Sequence, residues 1–223
     1  MTAGATPTRL PVDVLVTEAV GGPAVATLLF AHGAGAPMDS AAMTAFAGAF
    51  ADAGLRVVRY EFPYMAARRS GSKRPPPKAE TLVPACAAAL AQLLATVDGP
   101  VLLAGKSLGG RVSVLTAGDA LDARVRGVVA IGYPFHPPAK PEATRLVPLQ
   151  TACLPVLVLQ GTRDPFGTCE EVADYALPEA VSLTWFEDGD HDLKPRRTSG
   201  FTADDHRRAA ATVVRAFVNR VCG

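Results

Sequence analysis

The sequence predicts an α/β fold, a mostly parallel central sheet flanked by helices, and three observations carry that prediction. Short apolar, β-branched runs recur along the chain, and stretches of helical length separate most of them. The 223 residues are 49% hydrophobic and only 19% charged, enough to bury a substantial core in one domain spanning 1–223. No linker or change in composition interrupts the rhythm, and no insertion is long enough for a separate cap domain.

The elements follow in order. Residues 1–11 are expected as a flexible N-terminus. Residues 12–16 form a β-branched run, and residues 24–31 read as a strand ending at His32-Gly33. Gly21-Gly22-Pro23 between them suggests an opening hairpin. Asp39 or Ser40 can cap a helix to about Ala53, stopped by Gly54, before a strand over 55–60. Residues 63–78 read as an irregular surface excursion. An alanine- and leucine-rich helix over 80–97 ends at Asp98-Gly99-Pro100, and an apolar strand covers 101–104. A helix from Ser107 to about Ala117 and a strand at Val125–Ile131 follow. The proline-rich segment 133–148 is a second irregular excursion. A strand over 156–160, a short helix over 169–177, a strand at Val181–Phe186 and a terminal helix over about 202–220 complete the reading. Both excursions leave the carboxyl ends of strands, where open α/β sheets place their ligands.

Composition excludes several function classes. Twenty-two basic and 21 acidic side chains leave a formal charge of +1, so the molecule lacks the electrostatic signature of a nucleic-acid binder. The longest apolar segments fall well short of the roughly 20 residues a membrane-spanning helix needs, and the first residues lack the pattern of a signal peptide. Cys86, Cys153, Cys169 and Cys222 are far apart and form no CxxC pair, so a reduced, cytoplasmic location is expected and each thiol is read as structural or incidental. A homodimer through an exposed helix or sheet edge is compatible with all of this.

The strongest local signal is Gly105-Lys106-Ser107-Leu108-Gly109-Gly110, which follows an apolar strand and opens a helix. Strand, G-x-S-x-G and helix are the context of a nucleophile elbow, a sharp turn that exposes the serine and leaves no room for side chains at its glycines. The segment is not a P-loop, because the upstream glycine is missing. Gly33-Ala34-Gly35 does not extend to G-x-G-x-x-G, because Met38 stands where the third glycine would be. The dispersed histidines form no H-E-x-x-H, so neither a cofactor nor a metal is expected.

With these motifs the chain resembles the α/β-hydrolase superfamily. Gly105 to Arg111, His32-Gly33-Ala34-Gly35-Ala36, Phe62-Pro63-Tyr64 and Gly161-Thr162-Arg163-Asp164 resemble the small hydrolases of the KANL3/Tex30-like and dienelactone-hydrolase-like branches. The resemblance implies a serine hydrolase with an α/β-hydrolase fold. Dienelactone-type enzymes carry a cysteine nucleophile, and Ser107 departs from that, so their substrate class does not carry over.

A serine needs a base and an orienting carboxylate to attack near neutral pH. His191, in the polar loop Glu187-Asp188-Gly189-Asp190-His191-Asp192 after the last strand, is the candidate base. Asp164, just after the 156–160 strand, is the candidate orienter, with Asp188, Asp190 and Asp192 as competitors. The chain order Ser107, Asp164, His191 is the hydrolase order. The resemblance also implies an oxyanion hole from the backbone N–H groups of Leu108 and Ala34, with Gly35 as the alternative to Ala34. His32 is expected to organise that loop, and His136 and His206 read as loop or surface residues.

Phe62, Tyr64, Tyr133, Phe135 and Phe166 are candidate apolar walls for a substrate. Arg68, Arg69, Lys73, Arg74 and Lys78 form one basic cluster, and Lys194, Arg196 and Arg197 another. If the two meet over Ser107, an anionic substrate is expected; otherwise they are solvated loops. Neither Lys106 nor Arg111 is assigned a chemical role. The function expected is a carboxylesterase acting on a small, accessible ester or thioester substrate. The alternatives are a thioesterase or peptidase, and a noncatalytic interaction subunit on a hydrolase scaffold.

Overall fold

The computed structural model describes residues 13–118 and 122–223, so the expectation for residues 1–11 lies outside the described residues. Seven strands form one sheet: β1 (Val14–Thr17), β2 (Thr27–Ala31), β3 (Arg56–Tyr60), β4 (Val101–Lys106), β5 (Val125–Ile131), β6 (Val156–Gly161) and β7 (Val181–Phe186). Their spatial order is β1-β3-β2-β4-β5-β6-β7. All neighbours are parallel except β1, which runs antiparallel to β3. That pairing corrects the expected hairpin. The turn at Gly21-Gly22-Pro23 does not pair β1 with β2; it carries the chain away from the edge, and β2 takes an interior place between β3 and β4.

The interior strands show why they lie there. Leu28 and Phe30 of β2 and Leu102 and Ala104 of β4 face one core, and Leu29, Ala31 and Leu103 face the other, as the two-residue period of a strand requires. Helices α1 (Ala41–Asp52) and α7 (Ala203–Cys222) cover the first face through Phe46, Phe50, Val214 and Phe217. Helices α3 (Val83–Leu94) and α4 (Leu108–Thr116) cover the second through Leu90, Leu93, Val112 and Val114. Both faces being dry, the strands read as continuous apolar runs rather than alternating ones.

Local chemistry sets the helix ends. Ser40 caps α1 by accepting from the Met43 N–H, and Thr202 caps α7 in a reciprocal capping box with Asp205. The 63–78 excursion is not wholly irregular: α2 (Pro63–Arg69) occupies its first half, because proline in the first helical turn needs no N–H acceptor. The helix expected over 80–97 is a 3-10 turn, Ala79–Leu82, followed by α3, which ends earlier. Between β5 and β6 the only helix among the described residues is the single turn α5 (Val147–Gln150), so no cap is inserted above the sheet. Helix α6 (Cys169–Ala173) follows β6. Among the described residues no helix is long and apolar enough to cross a membrane.

Candidate active site

The elbow forms because three glycines let α4 nearly touch β4 and the end of β2. A Cβ on Gly105 would lie 2.2 Å from the Gly109 carbonyl carbon, and one on Gly109 would lie 2.6 Å from the carbonyl oxygens of Ala31 and His32. A Cβ on Gly110 would sit 2.9 Å from the Gly105 oxygen. Ser107 takes the strain of the turn, with φ 52° and ψ −116°, a conformation L-residues rarely adopt. Its N–H donates to the Ile131 carbonyl at 2.8 Å, tying the elbow to the end of β5. Ser113, two turns into α4, donates its hydroxyl to the Ala104 carbonyl at 3.1 Å and locks helix to strand.

Loops from three strand ends converge there. His191 Nε2 lies 2.8 Å from Ser107 Oγ, and its Nδ1 lies 2.8 Å from Asp164 Oδ2. With Nδ1 donating to the carboxylate, Nε2 is the nitrogen left to accept from the serine hydroxyl. Asp164 is fully buried and accepts two further bonds, from Gln160 Nε2 at 2.9 Å and from the Phe166 N–H at 2.9 Å. The Phe166 ring lies against the His191 imidazole, centroids 4.3 Å apart. On the other side Gly132 presses in at φ 60°: a Cβ there would be 2.6 Å from the His191 carbonyl oxygen and 3.2 Å from Nδ1. The imidazole is thus held by a carboxylate, an aromatic face and a bare backbone.

The competing carboxylates are used otherwise. Asp188 pairs with Arg163 and Arg196, and the hydrogen bond from Arg196 holds its carboxyl down at about 2. Asp190 accepts from the backbone of Asp192 and Lys194 and shapes the loop. Asp192 pairs at 2.5 Å with Lys106, joining the residue before Ser107 to the residue after His191. Burial opposes ionisation of Asp192, and the Lys106 ammonium outweighs it, leaving the carboxyl below its ordinary range. His206 is a correction: it is buried under Phe186 and Phe201, and its Nδ1 lies 2.7 Å from the Leu193 carbonyl, bracing the same loop. His136 is buried too, 3.5 Å from Glu171.

Helix α4 starts at Leu108, whose N–H therefore has no intrahelical acceptor. Among the described residues the N–H groups of Leu108, Ala34 and Gly35 all lack an acceptor. The 33–35 loop approaches the elbow at Gly33, where a Cβ would be 3.7 Å from that of Ser107. Its carbonyls are engaged elsewhere. His32 Nδ1 and the Tyr64 hydroxyl reach the Gly33 oxygen at 2.7 and 3.1 Å, and Arg68 Nη1 donates to the Ala34 oxygen at 3.2 Å. Burial pushes the Tyr64 hydroxyl up to about 12, which keeps it a donor.

His32 is fully buried and accepts from the Phe62 N–H at Nε2, 3.1 Å. Burial lowers its pKa from the ordinary 6.5, so the neutral ring is the folded form. The unfolded chain then binds a proton more readily. The contribution of His32 to stability is full above pH 6.5 and is lost as the pH falls below it. Denaturant unfolding between pH 7.5 and 5 should show this slope, and His32→Gln should flatten it; an unchanged slope would refute the assignment.

Among the expected walls, Phe62, Tyr133 and Phe135 are corrections. All three are fully buried in the core and expose no surface to a ligand. Tyr64 and Phe166 remain partly exposed beside the site. The basic clusters do not present a joint cationic roof. Arg68 and Arg69 are tied to Ala34, Arg74, Glu61 and Asp39, Arg196 is tied to Asp188, and Lys73, Arg74 and Lys78 are exposed. Among the described residues no three His, Cys, Asp or Glu side chains group as a metal site would need. Sequence reading misses Gln160, Gly132 and the Lys106–Asp192 pair; the one available signal was a glutamine closing the apolar run Val156-Leu157-Val158-Leu159.

A mostly parallel sheet with a strained serine between β4 and α4 and no inserted cap defines an α/β-hydrolase fold. A family model described as an alpha/beta hydrolase domain matches residues 24–219, and the chain belongs to that family. The fold is similar to the esterase domain of a Rhodothermus marinus protein, at 23% identity and TM-score 0.67, covering 95% of this chain and 94% of that one. It is also similar to dienelactone hydrolase from Anabaena variabilis, at 20% identity and TM-score 0.69, covering 94% and 92%. A serine hydrolase without a lid from Xanthomonas campestris matches at 21% identity and TM-score 0.65, covering 94% and 87%. These likenesses are of fold. No curated protein sequence matches the chain significantly.

Proposed function

We propose that the chain is a single-domain serine hydrolase, a carboxylesterase that cleaves small accessible esters through an acyl-enzyme. The observation that carries this reading is the unbroken relay from Ser107 Oγ to His191 Nε2, and from His191 Nδ1 to Asp164 Oδ2, each step 2.8 Å. His191 takes the hydroxyl proton as Ser107 Oγ attacks the ester carbonyl. Asp164 holds the ring in the tautomer that leaves Nε2 free and stabilises the imidazolium that forms. The carbonyl oxygen becomes an oxyanion. The free N–H groups of Leu108 and of Ala34 or Gly35 are the donors that suit it, a pair whose members are each worth about 10²- to 10³-fold in rate.

The tetrahedral adduct collapses, its C–O bond breaks, and His191 returns the proton to the leaving alcohol. Water then attacks the acyl-Ser107 carbonyl with His191 again as base, releasing the acid and restoring the serine. The absence of a cap supports the choice of small, externally accessible esters over long acyl chains.

The test is burst and steady-state hydrolysis of short-chain 4-nitrophenyl esters, with labelling by a fluorophosphonate. The expected result is labelling at Ser107 and turnover that falls with acyl-chain length. A folded protein that neither labels nor turns over would overturn the reading.

A further inference from the structure

One polar side chain interrupts an apolar face of β6. The two-residue period of the strand puts Gln160 on the side of Val156 and Val158, which belong to the core cluster that also holds Tyr133, Phe135 and Val172. An aliphatic residue at 160 would continue that pattern. Gln160 is instead a fully buried amide, and among the described residues its Oε1 has no donor. A buried acceptor without a donor costs free energy, and what offsets that cost lies at the other end of the amide.

The amide nitrogen faces three oxygens. Nε2 lies 2.9 Å from Asp164 Oδ2, 3.2 Å from the Tyr133 carbonyl and 3.3 Å from the Gly167 carbonyl. Turned over, the amide would set Oε1 against the same three acceptors, so the surroundings impose this orientation. The shortest of the contacts is the one to the carboxylate. It falls on the oxygen that His191 Nδ1 meets at 2.8 Å, while Oδ1 is taken by the Phe166 N–H at 2.9 Å. A carboxylate oxygen offers two lone-pair directions, and on Oδ2 Gln160 occupies one and leaves the other to the imidazole. The χ2 torsion of an aspartate is broad, so the bond to Oδ1 does not by itself fix where Oδ2 points.

Resting on the serine-hydrolase reading, we infer that Gln160 is a positioning residue for the reaction: through Nε2 it stops the Asp164 carboxylate from turning and keeps Oδ2 aimed at His191 Nδ1. Gln160 reaches neither Ser107 nor His191 and acts only through Asp164. Its bonds to the Tyr133 and Gly167 carbonyls anchor the amide on both sides, so the donor is itself held in place before it holds the carboxylate.

The test is steady-state hydrolysis of 4-nitrophenyl acetate by Gln160→Leu, Gln160→Met and Gln160→Glu, with unfolding midpoints for each. Leucine and methionine fill the space without a donor, and each should lower kcat about 10- to 100-fold with KM close to the parent, the loss of one hydrogen bond to a charged group. Glutamate keeps the shape. Facing a carboxylate and two carbonyls, its carboxyl retains its proton at neutral pH and donates it to Asp164 Oδ2. Relative to the parent, Gln160→Glu should therefore exceed Gln160→Leu at pH 6 and fall towards it as the pH rises to 9 and two carboxylates come to face each other. The titratable groups it meets are Asp164 and, through it, His191, and both are present in every variant compared. In the Ser107→Ala background, 15N NMR of the His191 imidazole reads the same bond without turnover. The ring should carry its proton on Nδ1, and adding Gln160→Leu should shift population to the Nε2–H tautomer. Parental kcat in Gln160→Leu and Gln160→Met, or a tautomer that Gln160→Leu leaves unchanged, would overturn the assignment. Failure of both variants to fold would also overturn it, because the amide would then serve the fold. Failure of the hydrolase reading is seen separately, as absence of fluorophosphonate labelling in the parent.

Discussion

Ser107→Ala should remove the burst and lower kcat for 4-nitrophenyl acetate by about 10⁴- to 10⁶-fold, with thermal stability kept within a few degrees of the parent. On the proposed mechanism alanine deletes the attacking oxygen, and it leaves the elbow, the Leu108 and Ala34 N–H groups and the His191–Asp164 bond in place. His191→Ala should fall by a similar factor, because an unassisted serine hydroxyl is a weak nucleophile near neutral pH. The double variant should be scarcely worse than either single one, since each removes the same step. Asp164→Asn tests the orienter: the amide can offer Nδ2–H to His191 Nδ1, which stabilises the tautomer whose Nε2 carries the proton, and a loss of about 10⁴-fold is expected. If Asp164→Asn kept parental activity while Asp188→Asn or Asp192→Asn lost it, the carboxylate assignment would be wrong.

Gly109→Ala should lower the unfolding midpoint by about 10 °C and abolish labelling together. The added Cβ would lie 2.6 Å from two backbone oxygens at the end of β2 and the start of the 32–36 loop. Backbone cannot swing aside as a side-chain tip can, so strand and helix must separate, at a cost of about 3 kcal/mol or more. That separation also moves the Leu108 N–H relative to Ala34. Gly48→Ala, in the middle of α1, is the informative contrast. A Cβ there meets nothing within 4 Å, and the substitution should stabilise by about 0.5–1 kcal/mol through helix propensity alone. Differential scanning calorimetry of both variants decides the matter. Equal midpoints would show that the close approach at Gly109 is relieved cheaply.

The legibility of this chain follows the range of the interactions involved. β5 and β7 can be read from sequence to the residue, because each is a short run of strand-forming residues bounded by breakers, a signal that depends on nothing beyond itself. The elbow is largely local: its glycines and serine lie within six residues, and Gly105 is needed for contact with Gly109 and Gly110 inside the turn, whereas Gly109 is needed because the end of β2 lies against it. The edge of the sheet was not local. Gly21-Gly22-Pro23 is as good a hairpin turn as any, yet β1 pairs with β3 because both places beside β2 are taken, by β3 and β4. Aromatic residues misled for a related reason. Phe62, Tyr133 and Phe135 sit at strand ends next to the site, but the chain after them turns inward and the core takes their rings.

What the sequence determined by itself was the α/β alternation, the strained turn that exposes Ser107, and the order in which a serine, an aspartate and a histidine appear. Tertiary structure alone decided which of four aspartates faces His191, and that Gln160, Gly132 and Phe166 confine the pair. The partners of His191 are 84 and 27 residues away along the chain, and such pairings depend on how three loops close over the sheet. Contacts a few residues apart follow from backbone sterics and propensity; contacts across loops follow from packing, and packing exists only once the sheet has formed.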